Sequence, residues 1–195
     1  MKPDVPILTI GLIGAAVAVN LFPEFGAELL QDRFAIREGE WWRLMTGHLV
    51  HHSGSHLFWN CFMIGMAGGL LERRQRTAMT TSLMTAGLLI GPGLHAFLPD
   101  MISYAGLSGI ATALVTCLIL LHLADGRCWL FALGLLLLKL SAEFLCSDSL
   151  FVSFSQPDVR SVPLAHALGA VAGWVAAVQS GGASFVEPTR PWPVV

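Results

Sequence analysis

The sequence predicts an all-α, polytopic membrane protein, a bundle of six transmembrane helices, on three observations. Of its 195 residues 54% are hydrophobic and only 12% are charged, about half the charged share of a soluble domain. Apolar stretches recur at about 5–22, 53–71, 77–98, 104–124, 128–145 and 162–180, each close to the roughly 20 residues that one helix needs to cross a bilayer. Six such helices with short links use nearly the whole chain, which predicts a single membrane domain followed by a disordered tail over 181–195.

The first stretch has a signal-peptide look, because Lys2 precedes an apolar run with Ala16 and Ala18 in an A-x-A pattern. That run continues past the supposed cleavage point to Phe22, so it reads as a retained span. The long link over about 23–52 mixes Glu24, Glu28, Asp32, Arg33, Arg37, Glu38, Glu40 and Arg43 with the paired Trp41 and Trp42. Tryptophans of this kind anchor at the membrane interface, and the link is expected to lie on the membrane rather than cross it.

Arg73, Arg74 and Arg76 crowd the connection after the second span, and short arginine-dense loops stay cytoplasmic. Lys2, Arg127 and Arg190 then fall on the same side by parity. Both termini are expected in the cytoplasm, with every even-numbered span starting at the outer face. In the third span Gly91, Pro92 and Gly93 predict a kink or break. The fifth is nearly pure leucine apart from Lys139 and Glu143, read as a charge couple that offsets its own burial. Cys61, Cys117, Cys128 and Cys146 are spaced as packing residues, and with a net charge of −2 no basic stripe exists for a nucleic acid.

Polar groups are costly in hydrocarbon and are candidates for function where they cluster. His56 and Asn60, four apart, share one face of the second span near its outer start. Ser108 and His166 lie about four residues into the fourth and sixth spans. At 1.5 Å per residue all four sit roughly 5–10 Å below the outer surface. A hydroxyl nucleophile, an imidazole base and donors for an oxyanion are the parts of an acyl-transfer site. Gly106 and Gly109 flank Ser108 and remove bulk beside it. No Asp near His166 completes a triad, so a Ser108–His166 dyad is the economical reading.

With these residues in place the chain resembles the rhomboid family of intramembrane serine proteases over nearly its full length. The matching pieces are Trp42-Arg43, His51 nine residues after Trp42, His56-x-x-x-Asn60, Glu72, Gly106-x-Ser108-Gly109 and His166-x-x-Gly169-x-x-x-Gly173. Each is weak alone; their order and placement make them specific. The resemblance implies a rhomboid-like six-helix fold, a Ser108–His166 dyad, an oxyanion hole of His56, Asn60 and the Ser108 N–H, and close packing of span six on span four through Gly169 and Gly173. No metal or cofactor is implied. The partners are the lipid bilayer and transmembrane protein substrates. WWRLMTGHLVHHSGSHLFWN, YAGLSG and HALGAVAG are similar to the rhombosortases in particular. That likeness implies substrates with a C-terminal Gly-Gly, a transmembrane helix and a basic tail, and a bacterial inner membrane with the site open to the periplasm. It leaves open whether water or another nucleophile resolves the acyl-enzyme.

Plainer readings compete at each position. A serine or glycine in a membrane helix is mostly packing material; a lone His166 can simply bond a carbonyl, and His56 and Asn60 can tie helices together. Glu72 reads as a solvated cytoplasmic end with a helix-tying bond as the alternative, His95 and His122 as structural, and His51, His52 and His56 as a hydrated path. His48-x-x-His51-His52 followed by His56 resembles one histidine box of a membrane di-iron enzyme, but further boxes and an H-E-x-x-H zinc motif are missing. A general rhomboid protease and a non-catalytic rhomboid relative are the remaining alternatives.

Overall fold

Apolar, leucine- and alanine-rich runs give the helices, and polar links set their ends. In the computed structural model, which describes residues 5–146 and 161–182, the helices are α1 (Ile7–Leu21), α2 (Pro23–Leu29), α3 (Arg33–Arg37), α4 (Arg43–Thr46), α5 (Gly54–Arg74), α6 (Arg76–Phe97), α7 (Ser108–Leu121), α8 (Arg127–Cys146) and α9 (Pro163–Ala177). The six long ones fall on the six apolar stretches. Two short strands, β1 (Gln31–Asp32) and β2 (Ser103–Tyr104), pair antiparallel with Gln31 opposite Tyr104.

By length and composition Arg127–Leu145 is the one helix among the described residues able to cross a membrane, and α1 with α2 qualifies only as a pair bent by 112°. Helices α1, α7 and α9 have 15, 14 and 15 residues. Histidine, asparagine, arginine and hydroxyl side chains dilute the apolar character of α5 and α6.

Helix α7 is the centre of the bundle, with Ile110, Ala111, Ala113, Leu114, Cys117 and Leu118 all buried. Small residues bring α9 against it: a Cβ on Gly169 would run into the Gly109 carbonyl, and one on Gly173 into the Ala113 carbonyl. Such contact maximises dispersion between backbones, which drives helix association where lipid cancels the hydrophobic effect. Helix α8 is outermost. Most of its leucines and both its phenylalanines are exposed, and Leu136 and Glu143 are its buried residues.

The link between α1 and α5 is held by polar groups on backbone. Asp32 caps α3 by accepting from the Phe34 and Ala35 N–H groups, both at 2.9 Å. Arg33 donates to the carbonyls of His95, Leu98 and Met101 at 2.8, 2.7 and 2.9 Å, covering the orphan carbonyls at the end of α6. The buried Arg43 donates to the Ala27 carbonyl at 2.7 Å and pairs with Glu40 at 2.5 Å, while Trp41 and Trp42 remain exposed.

Several expectations change. Helix α6 runs through Pro92 without a break; the neighbouring Gly91 is there because a Cβ would collide with the Leu44 carbonyl of α4. Glu72 is no solvated end: it is buried and accepts from the Leu8 and Thr9 N–H groups at 2.8 Å and the Thr9 hydroxyl at 2.9 Å. It thus caps the N-terminus of α1, where Pro6 supplies no side-chain cap. Cys117 is a packing residue, whereas Cys128 is exposed. The side chain of Cys146 and the tail beyond 182 lie outside the described residues.

Candidate functional site

Ser108 is the first residue of α7, not the fourth turn-forming residue of a helix begun at 104. The chain before it is extended by pairing with β1 and then turned by Gly106, whose φ of +126° disfavours any residue with a Cβ. A Cβ there would also stand 2.6 Å from Cε1 of His56. Three bonds hold this turn. Gly106 N–H donates to the Gly47 carbonyl at 3.2 Å, the Tyr104 hydroxyl donates to the Gly106 carbonyl at 3.1 Å, and Leu107 N–H donates to Nε2 of His51 at 3.4 Å. The Tyr104 hydroxyl also interacts with the Ser108 side chain.

His166 is the fourth residue of α9, whose first position is Pro163, a residue suited to a helix start because its absent N–H is an orphan there anyway. A Cβ on Gly109 would lie 2.9 Å from the Ala165 carbonyl. Ser108 and His166 therefore each stand one residue from the point where α7 and α9 touch backbone to backbone. The sequence spacing of small residues sets that level.

His166 has a carboxylate partner, which corrects the expectation of a dyad with none. Nδ1 of His166 lies 2.7 Å from Oε2 of Glu143, and both residues are buried. An ionised carboxylate only accepts, so Nδ1 carries the hydrogen and Nε2 is the basic nitrogen. Lys139 Nζ lies 3.1 Å from both carboxylate oxygens, so the charge couple exists as expected and also engages the histidine. Nζ is 3.2 Å from Nδ1; two donors face each other there, and the contact is electrostatic.

His56 and Asn60 are buried on one face of α5, a helix capped by Ser53, which accepts from His56 N–H at 3.1 Å. His56 lies within electrostatic range of His166. The Asn60 amide nitrogen is buried with no hydrogen-bond partner among the described residues.

His51, expected on a hydrated path, is buried and engaged on both sides of its ring. Nδ1 is 3.2 Å from the Leu49 carbonyl while Nε2 receives Leu107 N–H, which fixes the Nδ1–H tautomer. Its N–H donates to Oδ1 of Asn20 at 2.9 Å, tying α1 to the site. Burial, with the nearby His56 second, pushes its pKa down to about 3. His48 packs edge-on against Tyr104 with ring centroids 5.7 Å apart, and burial pushes it down to about 4. Of the supposed metal box, His48 thus lies against Tyr104, while His51 and His56 pack edge to face with ring centroids 4.9 Å apart. His122 is structural as expected, its Nδ1 at 2.9 Å from the Leu118 carbonyl and its ring stacked on Trp129.

Sequence reading missed the Glu143–His166 bond, the Tyr104 hydroxyl and Asn20. Only the first left a signal, a lone buried-type charge pair in a leucine helix.

The bundle buries two imidazoles, an amide and a carboxylate, with the half-buried Ser108 at the start of α7. The rhomboid domain model matches residues 38–181, from the turn before α4 to just past the end of α9. The chain belongs to the rhomboid family, integral membrane proteins whose proteolytic members act on transmembrane substrates in the bilayer. A comparison with curated proteins finds no match.

Proposed function

We propose that this protein is an intramembrane serine endopeptidase in which Ser108 attacks the scissile carbonyl and His166 takes the hydroxyl proton on Nε2, returning it to the leaving amine. The carrying observation is the backbone contact of Gly109 with Gly169 and Ala165, which brings the two helices together beside these residues. The oxyanion is received by the Ser108 N–H at the start of α7, by His56 and by the unpartnered Asn60 amide. Three donors aimed at a developing charge are worth more in a low-dielectric interior than in water.

The six long helices are read as six spans, with both termini cytoplasmic and the N-terminal end of α7 toward the outer, periplasmic side of a bacterial inner membrane. A helix of 14 residues covers about 21 Å at 1.5 Å per residue, roughly 9 Å less than the hydrocarbon core. Helix α7 thus ends inside the membrane, and Ser108 with it. That depth suits a substrate helix that unwinds near the outer leaflet.

The substrate class follows the likeness to rhombosortases: exported proteins with a C-terminal Gly-Gly, a transmembrane segment and a basic tail. Purified protein is to be given reporters with and without Gly-Gly ahead of the membrane segment. Selective cleavage of the first, abolished by Ser108→Ala, is the expected result. Equal cleavage of both removes the sorting role and leaves a general rhomboid protease; cleavage by folded Ser108→Ala removes the proposed nucleophile.

A further inference from the structure

We infer that Glu143 is a positioning residue for His166, so that the proposed site works as a Ser108–His166–Glu143 triad with Lys139 holding the carboxylate in place. This rests on the protease reading above and adds to it the group that orients the base.

Three observations converge. Helix α8 is apolar and turned outward, yet it buries Glu143, 3% exposed, against the bundle. A carboxylate is brought in at that cost only where it is paired. Its Oε2 lies 2.7 Å from Nδ1 of His166, the nitrogen that a serine-activating histidine does not use for proton transfer. Lys139, one turn earlier, is 3.1 Å from both carboxylate oxygens and about a quarter exposed, so it neutralises the glutamate and fixes its rotamer from the outside.

The charges near His166 decide what Glu143 contributes. His56 faces it from α5, and Glu143 and Lys139 face it from α8. When the ring gains the Ser108 proton, attraction from the carboxylate at 2.7 Å is opposed by repulsion from the ammonium at 3.2 Å. These distances are so similar that the two Coulomb contributions nearly cancel. What remains is orientation: the carboxylate accepts Nδ1–H, excludes the other tautomer and keeps the Nε2 lone pair available to the hydroxyl. The proton leaving Ser108 goes to Nε2 and from there to the leaving amine; the Nδ1 proton stays on the ring, and Glu143 is not protonated.

The alternative is that the pair merely neutralises itself, and a double replacement separates the two. Removing both charges together with side chains of similar volume is tolerated by folds, so Lys139→Met/Glu143→Leu stays folded in detergent. Positioning predicts that its kcat is lower by about 10²- to 10⁴-fold, with KM changed only a few-fold. Lys139→Met/Glu143→Gln, which restores an acceptor oxygen, should regain at least about tenfold of that loss. Parent-like kcat in the Met/Leu variant, or no gain on going from Leu to Gln, overturns the inference and leaves a charge couple. Activity in Ser108→Ala would instead overturn the protease reading, so the two failures are distinct.

Discussion

Nδ1 of His166 lies 2.7 Å from the Glu143 carboxylate, although most of the other residues of α8, which carries Glu143, are exposed. A helix at the rim of the bundle thereby reaches the interior through a charged residue. The bond ties the orientation of the imidazole to the seating of α8, so that displacement of the rim helix would be felt at His166.

The Asn60 amide is the clearest test of the proposed oxyanion site. Asn60→Ala is expected to lower kcat by on the order of 10²- to 10³-fold with KM nearly unchanged, the effect of losing one preorganised donor. Steady-state cleavage of a membrane reporter measures it. Unaltered kcat would make Asn60 a packing residue.

Gly169→Ala places a methyl where the Gly109 carbonyl already sits. Overpacking of this kind costs about 1–3 kcal/mol, more than the roughly 1 kcal/mol gained in helix propensity. Thermal unfolding in detergent should shift down. Activity should fall more steeply than stability at working temperature, because a displacement of about 1 Å between reacting groups can cost on the order of 10²-fold.

Glu72→Ala removes the acceptor of three donors on α1. Leaving buried donors unpaired costs about 1–3 kcal/mol, and the loss should appear as faster amide hydrogen exchange over the first turns of α1. Exchange unchanged from the parent would mean that packing alone holds this helix.

Stability should fall on acidification through the buried His48. Its folded pKa, pushed down to about 4 from 6.5, means that the folded state resists a proton the unfolded chain accepts. The contribution is fully present above about pH 6.5 and is lost as pH falls from there toward 4, by on the order of 3 kcal/mol in all. His51, pushed down to about 3, acts in the same direction. Unfolding temperatures recorded from pH 8 to 4 check this, and His48→Gln should flatten the curve.

The bundle was readable because leucine, alanine and glycine runs leave few alternatives to helix, and the positions of Ser108, His166, His56 and Asn60 along those runs follow from counting residues. The contact of α9 with α7 was readable too, from Gly169 and Gly173. The partners of Glu72 and His51 were not. Each has a short-range environment that reads as solvated, and each finds its partner on α1, in Leu8, Thr9 and Asn20.

By itself the sequence determined the helical class, the order of the elements and which chemistry-bearing side chains each helix carries, because composition and 3.6-residue periodicity act within one segment. Only the tertiary structure decided that Ser108 opens α7 rather than sitting within it, and that His166 has a carboxylate. The first depends on β1 pairing with β2 across the 70 residues of chain between them, the second on α8 packing beside α9. Hydrogen bonds and ion pairs form between groups close in space, and a linear pattern records which groups exist without recording which of them meet.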